Sequence, residues 1–168
     1  DASQDIEFAA RLEKVTSICS GANSTRLQCE EGLRLLNARL LAQTKYGLHL
    51  SQFPPNKCQQ LSVIINETML PILKSHRKLP RSVVWGPKGL GGLALNTNIY
   101  NVQAQCALMY LLRTLRWDKT VAQDIIATLN AAQLASGFGS PILEKTSPKI
   151  KYLGKGWILN LREMLDLF

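Results

Sequence analysis

The run Val84-Trp85-Gly86-Pro87-Lys88-Gly89-Leu90-Gly91-Gly92-Leu93-Ala94-Leu95 constrains the fold more than any other segment. Four glycines and a proline fall within it, inside an otherwise apolar and basic stretch. Gly reaches positive φ and lets backbones approach closely, whereas Pro fixes φ and removes a donor. A long helix cannot run through such a segment. It is preceded by Lys74-Ser75-His76-Arg77-Lys78-Leu79-Pro80-Arg81, so a glycine-punctuated turn follows a cationic arm. Two readings fit: a tight connector between helices, and a rigid turn that meets a phosphate backbone.

On either side the pattern is helical. Phe8, Leu12, Val15 and Cys19 recur at helical spacing, with Gly21 as the expected stop. Ser24 or Thr25 is placed to cap a second helix carrying Cys29, Leu33, Leu36 and Leu40, ending near Tyr46-Gly47. Pro54-Pro55 opens a third, with the stripe Leu61, Ile64, Ile65, Met69, Ile72 and Leu73. Pro71 should kink or end it. Asn96 or Asn98 can cap a fourth, through Ile99, Val102, Cys106, Met109 and Leu112. Asp118 can cap a fifth, carrying Val121, Ile125, Leu129 and Ala132. Residues 136–156 read as loop, and Trp157 to Leu167 as a short terminal helix.

The expected fold is all-α: a three-helix unit over residues 1–79, an extended connector over 80–95 with Val83-Val84-Trp85 as its β-like core, and a helical hairpin with a basic extension over 96–168. One continuous domain is the alternative division. A chain of 168 residues can bury a real core. Its longest wholly apolar run, Ala107 to Leu112, is far too short to span a bilayer, so no membrane partner is expected. The chain opens at Asp1 without Met or a signal pattern, as a processed product or excised piece would.

Charge carries the functional information. Net charge is +8. No acidic residue occurs between Thr68 and Trp117, where Lys74, Arg77, Lys78, Arg81, Lys88, Arg113 and Arg116 all lie. Lys145, Lys149, Lys151, Lys155 and Arg162 form a second cluster. An excess of one sign attracts polyanions, nucleic acid first among them. Solvated helix faces would explain the lysines and arginines, but not the missing acids. Candidate phosphate contacts are therefore Lys74, Arg77, Lys78, Arg81 and Lys88. Ser82 and the amides around Gly89 would add neutral hydrogen bonds. Arg113 and Arg116 either extend the surface or complement a helix C-terminus.

Catalytic signatures are missing. The chain has no phosphate-binding P-loop, no Gly-x-Ser-x-Gly elbow and no His-Glu-x-x-His. Its twelve carboxylates include no Asp-x-Asp or Asp-Asp pair, as a two-metal site would favour. No cofactor or metal is expected in this chain, and no catalysis by the chain alone. Four cysteines without a CxxC give no zinc spacing. Cys19, Cys29 and Cys106 fall on apolar stripes and are expected to be reduced and buried.

The order of features resembles the thumb that follows the palm in reverse transcriptases of non-LTR retrotransposons and related eukaryotic retroelements. The resemblance covers roughly residues 6–144. It runs through Phe8-Ala9-Ala10-Arg11-Leu12, then Leu41-Ala42-Gln43-Thr44-Lys45-Tyr46-Gly47-Leu48, then Leu70-Pro71-Ile72-Leu73-Lys74. The most specific part lies within Leu79 to Leu95, in the pattern LPR-x-VV-x-GP-x-x-x-GGL-x-L. Val102-Gln103-Ala104-Gln105 and Leu134 to Leu143 follow in family order. The family's tyrosine-x-aspartate-aspartate motif has no counterpart in this chain. The resemblance implies an intracellular, including nuclear, polymerase fragment. Its partners would be RNA, DNA or an RNA–DNA hybrid, and the missing palm and fingers. The competing class is a secreted helical-bundle ligand for a receptor, which four cysteines and the triplets Asn23-Ser24-Thr25 and Asn66-Glu67-Thr68 permit. A protein-interaction scaffold is a third, and an exposed apolar face on the hairpin would favour it.

Overall fold

The computed structural model describes residues 2–51, 53–117, 119–144 and 157–165. It is all-α, with no strand among the described residues. The chain divides into two compact units, 1–102 and 103–168. Asp118 and the cluster Lys145, Lys149, Lys151 and Lys155 lie outside the described residues.

The first unit opens with α1 (Ala2–Ser24). This helix runs past Gly21, and Ser24 and Thr25 donate their hydroxyls back to the Gly21 carbonyl. They finish α1 rather than start the next helix. That start falls to Gln28, whose amide is accepted by Glu31 Oε2 at 2.8 Å, the backward half of a capping box. There follow α2 (Cys29–Leu35), a π-helical turn (Leu36–Leu40), α3 (Leu41–Lys45) and α4 (Leu48–Ser51). Leu36, Leu40 and Leu41 are all buried. An α-helix would not keep adjacent residues such as Leu40 and Leu41 so equally inside, and the wider π turn adjusts the phase. Tyr46 ends the run, and Gly47 reverses the chain at φ +67°.

A knot of side chains ties this turn to α1. Arg11 donates to the Thr44 carbonyl at 2.7 Å and to Glu7 at 2.8 Å. Ser51 donates to the same Glu7 oxygen. The Arg11 guanidinium also lies 5.2 Å from the centre of the Phe53 ring, which meets Phe8 edge to face. Burial pulls the Arg11 pKa down, and the Glu7 carboxylate opposes that pull. Lys57 pairs with Asp5 beside it, which holds Asp5 below its ordinary value.

The centre of the unit is α5 (Pro55–Ile72), with Pro at its first turn and Pro71 in its last. It contacts both α1 and α2. Cys58, Leu61, Ile65 and Met69 form its fully buried stripe, joined on α1 by Val15 and Cys19. Two further positions one turn apart, Ser62 and Asn66, are also buried and face the 97–99 segment.

Residues 80–95 correct the expectation of an extended connector. Val83-Val84-Trp85 is helical, within α6 (Arg81–Trp85), and Lys88–Leu90 forms a 3-10 turn. The chain then folds back. Leu93, Leu95 and Ala94 donate their amides to the carbonyls of Val83, Val84 and Gly86, at 2.8–3.0 Å. These bonds satisfy carbonyls that a five-residue helix leaves open. The return passes so close that a Cβ on Gly92 would lie 2.1 Å from the Gly86 oxygen. The segment is a self-closed clasp, and its β-branched residues are helical because the returning strand of chain completes their hydrogen bonds.

The second unit contains most of α7 (Ile99–Trp117), then α8 (Lys119–Ser136) and α9 (Trp157–Leu165). Asn98 accepts from the Asn101 amide, the capping role expected of it. Gly137, at φ +68°, closes α8. Gln133 then holds the following turn, donating to the Phe138 and Ser140 carbonyls and accepting from the Ile142 amide at 2.8 Å. Ile142 and Ile158 form a small core with Leu129, Phe138 and Trp157 around it. Met109 and Leu112, expected on an inward stripe, are about half exposed (52% and 48%).

Of the cysteines, Cys19 and Cys58 are buried, Cys106 is partly buried and Cys29 is exposed. The expectation for Cys29 is corrected: it sits in the first turn of α2, before the inward stripe begins. No disulfide occurs among the described residues.

Candidate nucleic-acid interface

The cationic arm begins where α5 ends. The Ser75 amide donates to the Leu70 carbonyl at 2.8 Å and the Lys74 amide to the Pro71 carbonyl at 3.0 Å. This is a Schellman closure, whose left-handed position usually holds glycine. Here it holds Lys74, at φ 56°. A side chain at positive φ costs roughly 1–2 kcal/mol. The next turn is set by His76, whose Nδ1 accepts from the Lys78 amide at 3.1 Å and whose carbonyl accepts from Leu79. Arg77 and Lys78 therefore stand at the corner of a tight turn, both exposed.

Lys74, Arg77, Lys78 and Lys88 are exposed and Arg81 is half-buried, all within the first unit. None of the five enters an ion pair among the described residues, where the pairs are Arg11–Glu7 and Lys57–Asp5. Ser82 is exposed in the first turn of α6. Gly89 is exposed, with open space where a Cβ would stand. The amides after it are already used, since Leu90 and Gly92 donate to Pro87 and Gly91 donates to Lys88. Arg113 and Arg116 belong to the second unit and are exposed near the C-terminus of α7. Arg113 lines a shallow groove with Tyr110, Trp117 and Val121.

Behind the arm lies a feature that the sequence did not disclose. The Trp85 indole donates from Nε1 to Thr97 Oγ1 at 3.1 Å. The Thr97 hydroxyl donates on to Asn66 Oδ1 at 2.6 Å. Because an indole N–H can only donate, the direction of this relay is fixed. The Asn66 carbonyl oxygen must face Thr97, and its NH2 must face away. Thr97 and Asn66 are buried. The available signal was the pair Ser62 and Asn66, one turn apart and each beside a buried apolar neighbour.

Among the described residues no three His, Cys, Asp or Glu side chains converge to hold a metal, and no helix is long and apolar enough to cross a membrane. No family model, curated protein or solved structure matches this chain.

Proposed function

We propose that this chain grips a nucleic-acid duplex or RNA–DNA hybrid through its sugar–phosphate backbone, as the thumb region of a reverse transcriptase does, without itself carrying the catalytic palm. The observation that carries this reading is the arm itself. Lys74, Arg77, Lys78 and Lys88 are exposed, lack ion pairs and sit in a stretch without a single carboxylate. One of them occupies a backbone position at which glycine would be less strained. Left-handed non-glycine residues cluster where function requires a side chain. Backbone contacts of this kind position a protein without reading sequence. Arg81, Ser82, Gly89, Arg113 and Arg116 complete the proposed contact set. The partners are RNA, DNA or their hybrid, together with the palm and fingers of the polymerase.

The test is a salt titration of duplex binding, comparing the wild-type chain with a variant in which Arg77, Lys78 and Lys88 are Ala. Neutralised phosphates release counterions, so log affinity falls with log salt by about 0.7 to 0.9 per contact. The variant should bind more weakly on every sequence and show a slope shallower by roughly 2 to 3. An unchanged slope rejects the phosphate role.

A second reading has an observation of its own. Tyr110, Trp117, Ile126 and Leu134 on α7 and α8 are exposed, Trp117 and Leu134 by more than four-fifths. Such a surface suits a protein-interaction scaffold. The secreted-ligand alternative is disfavoured by thiols standing without disulfides.

A further inference from the structure

A cleft opens beside α6, entirely within the first unit, with a volume of about 300 Å3. That is the small end of the range for ligand sites. Its walls include Asn66, Arg81, Trp85, Asn98 and Tyr100. Two donors in it have no acceptor: Asn66 Nδ2 and Arg81 Nη1 are both buried and unpartnered. Asn66 is only 1% exposed. Buried polar atoms are nearly always satisfied, and each exception calls for a reason. The relay from Trp85 through Thr97 explains why the amide cannot flip to relieve its own shortfall. It holds the NH2 outward from Thr97 by hydrogen bonds that only one orientation permits.

The chemistry of the missing acceptor follows from the lining. A guanidinium without a carboxylate partner, in a wall that contains no acidic residue, calls for an anion, and a planar fork suits phosphate. A neutral amide donor calls for a carbonyl or ring nitrogen. Indole and phenol rings in the same wall suit a flat ring, because base–aromatic stacking is tolerant of sequence. One molecule presents all three features.

We propose that this cleft binds a single nucleotide unit. Its phosphate is held by Arg81, an acceptor on its base edge is held by Asn66 Nδ2, and its ring lies against Trp85. The proposal deepens the function given above and rests on it for the polymeric source. The exposed arm grips the duplex backbone, while the cleft takes one unstacked nucleotide, and Arg81, half-buried, serves the cleft.

The test uses the full chain, labelled with nitrogen-15, and follows the Asn66 side-chain NH2 and the Trp85 indole N–H. Uridine 5′-monophosphate should move both signals. Uridine and inorganic phosphate, each offered alone, should bind at least about tenfold more weakly. Arg81→Gln should reduce the monophosphate to the level of uridine. Asn66→Asp, which keeps the volume but loses the donor, should weaken it as well, and Arg81→Gln decides the matter if that variant does not fold. A short 5′-phosphorylated oligouridine that moves the same signals identifies a strand as the source, whereas movement by the monophosphate alone identifies a free nucleotide. No movement of either signal up to about 10 mM monophosphate, or equal movement by uridine in wild type and Arg81→Gln, overturns the proposal. Because Arg77, Lys78 and Lys88 lie outside the cleft, their alanine variant should still bind the monophosphate. Loss of duplex grip and loss of nucleotide binding are therefore separable results.

Discussion

Lys74 shows how a single residue can set stability against function. Its φ of 56° is a conformation that glycine adopts without a Cβ penalty. Lys74→Gly should therefore raise the stability of the chain by about 1 kcal/mol, read from denaturant midpoints at unchanged slope. The same change removes a cation from the arm, so duplex affinity should fall at low salt. If stability does not rise, the closure after α5 is unstrained. If affinity does not fall, Lys74 is no part of the grip. Nothing in the sequence announced this backbone conformation. The left-handed position follows from the hydrogen bonds of Ser75 and Lys74 to the end of α5, which depend on where that helix stops.

At the scale of elements, the long helices were legible because their apolar residues repeat with the helical period and prolines mark the start of α5. What escaped were features decided by distant partners. Val83-Val84-Trp85 has the composition of a strand, yet the amides of Leu93 to Leu95 complete its helical turn. Cys29 shares the spacing of an inward stripe, yet lies one turn before the stripe becomes buried. The cationic candidates were visible as a run without acids, whereas the cleft was not, since Asn66 and Thr97 are polar residues far apart in the chain. Their relay can be tested by Thr97→Val, which keeps the shape and removes the hydroxyl. It strands the Trp85 N–H and the Asn66 carbonyl together, at a cost of roughly 1–3 kcal/mol. Thermal unfolding of the variant measures it. An unchanged midpoint would mean that the relay contributes nothing.

Over the whole molecule, apolar burial is concentrated in the first unit, where Val15, Leu40, Leu61, Ile65 and Met69 are inaccessible. Two thiols lie in that core. Burial pushes the Cys58 thiol up to about 12 and raises Cys19 as well. Each holds its proton to higher pH when folded than when unfolded, so above the ordinary thiol range the folded chain binds more protons. The stability this confers is complete below about pH 9 and is lost as pH climbs towards 12. Alkaline melting curves should therefore fall steeply above pH 9, and Cys58→Ala, less stable at neutrality, should show a flatter decline. Native thiol labelling supplies the companion measurement: exposed Cys29 should react first, and Cys19 and Cys58 only on unfolding. Equal labelling rates would place the two thiols outside the core.

The π turn at Leu36–Leu40 links chain length to helix phase. It amounts to one residue more than a regular helix would use, and each helical residue turns the chain by about 100°. Deleting Ala38, which is exposed, would let the run from Cys29 to Lys45 become regular, yet everything after it would rotate by that angle. Thr44 would leave Arg11, and Gly47 would point its reversal elsewhere. An irregularity that looks like a defect in one helix is thus the phase adjustment that brings the turn after Tyr46 into register with α1. Along this chain a deletion of one residue and a substitution of one residue are different in kind: the substitution changes a contact, and the deletion re-aims all that follows.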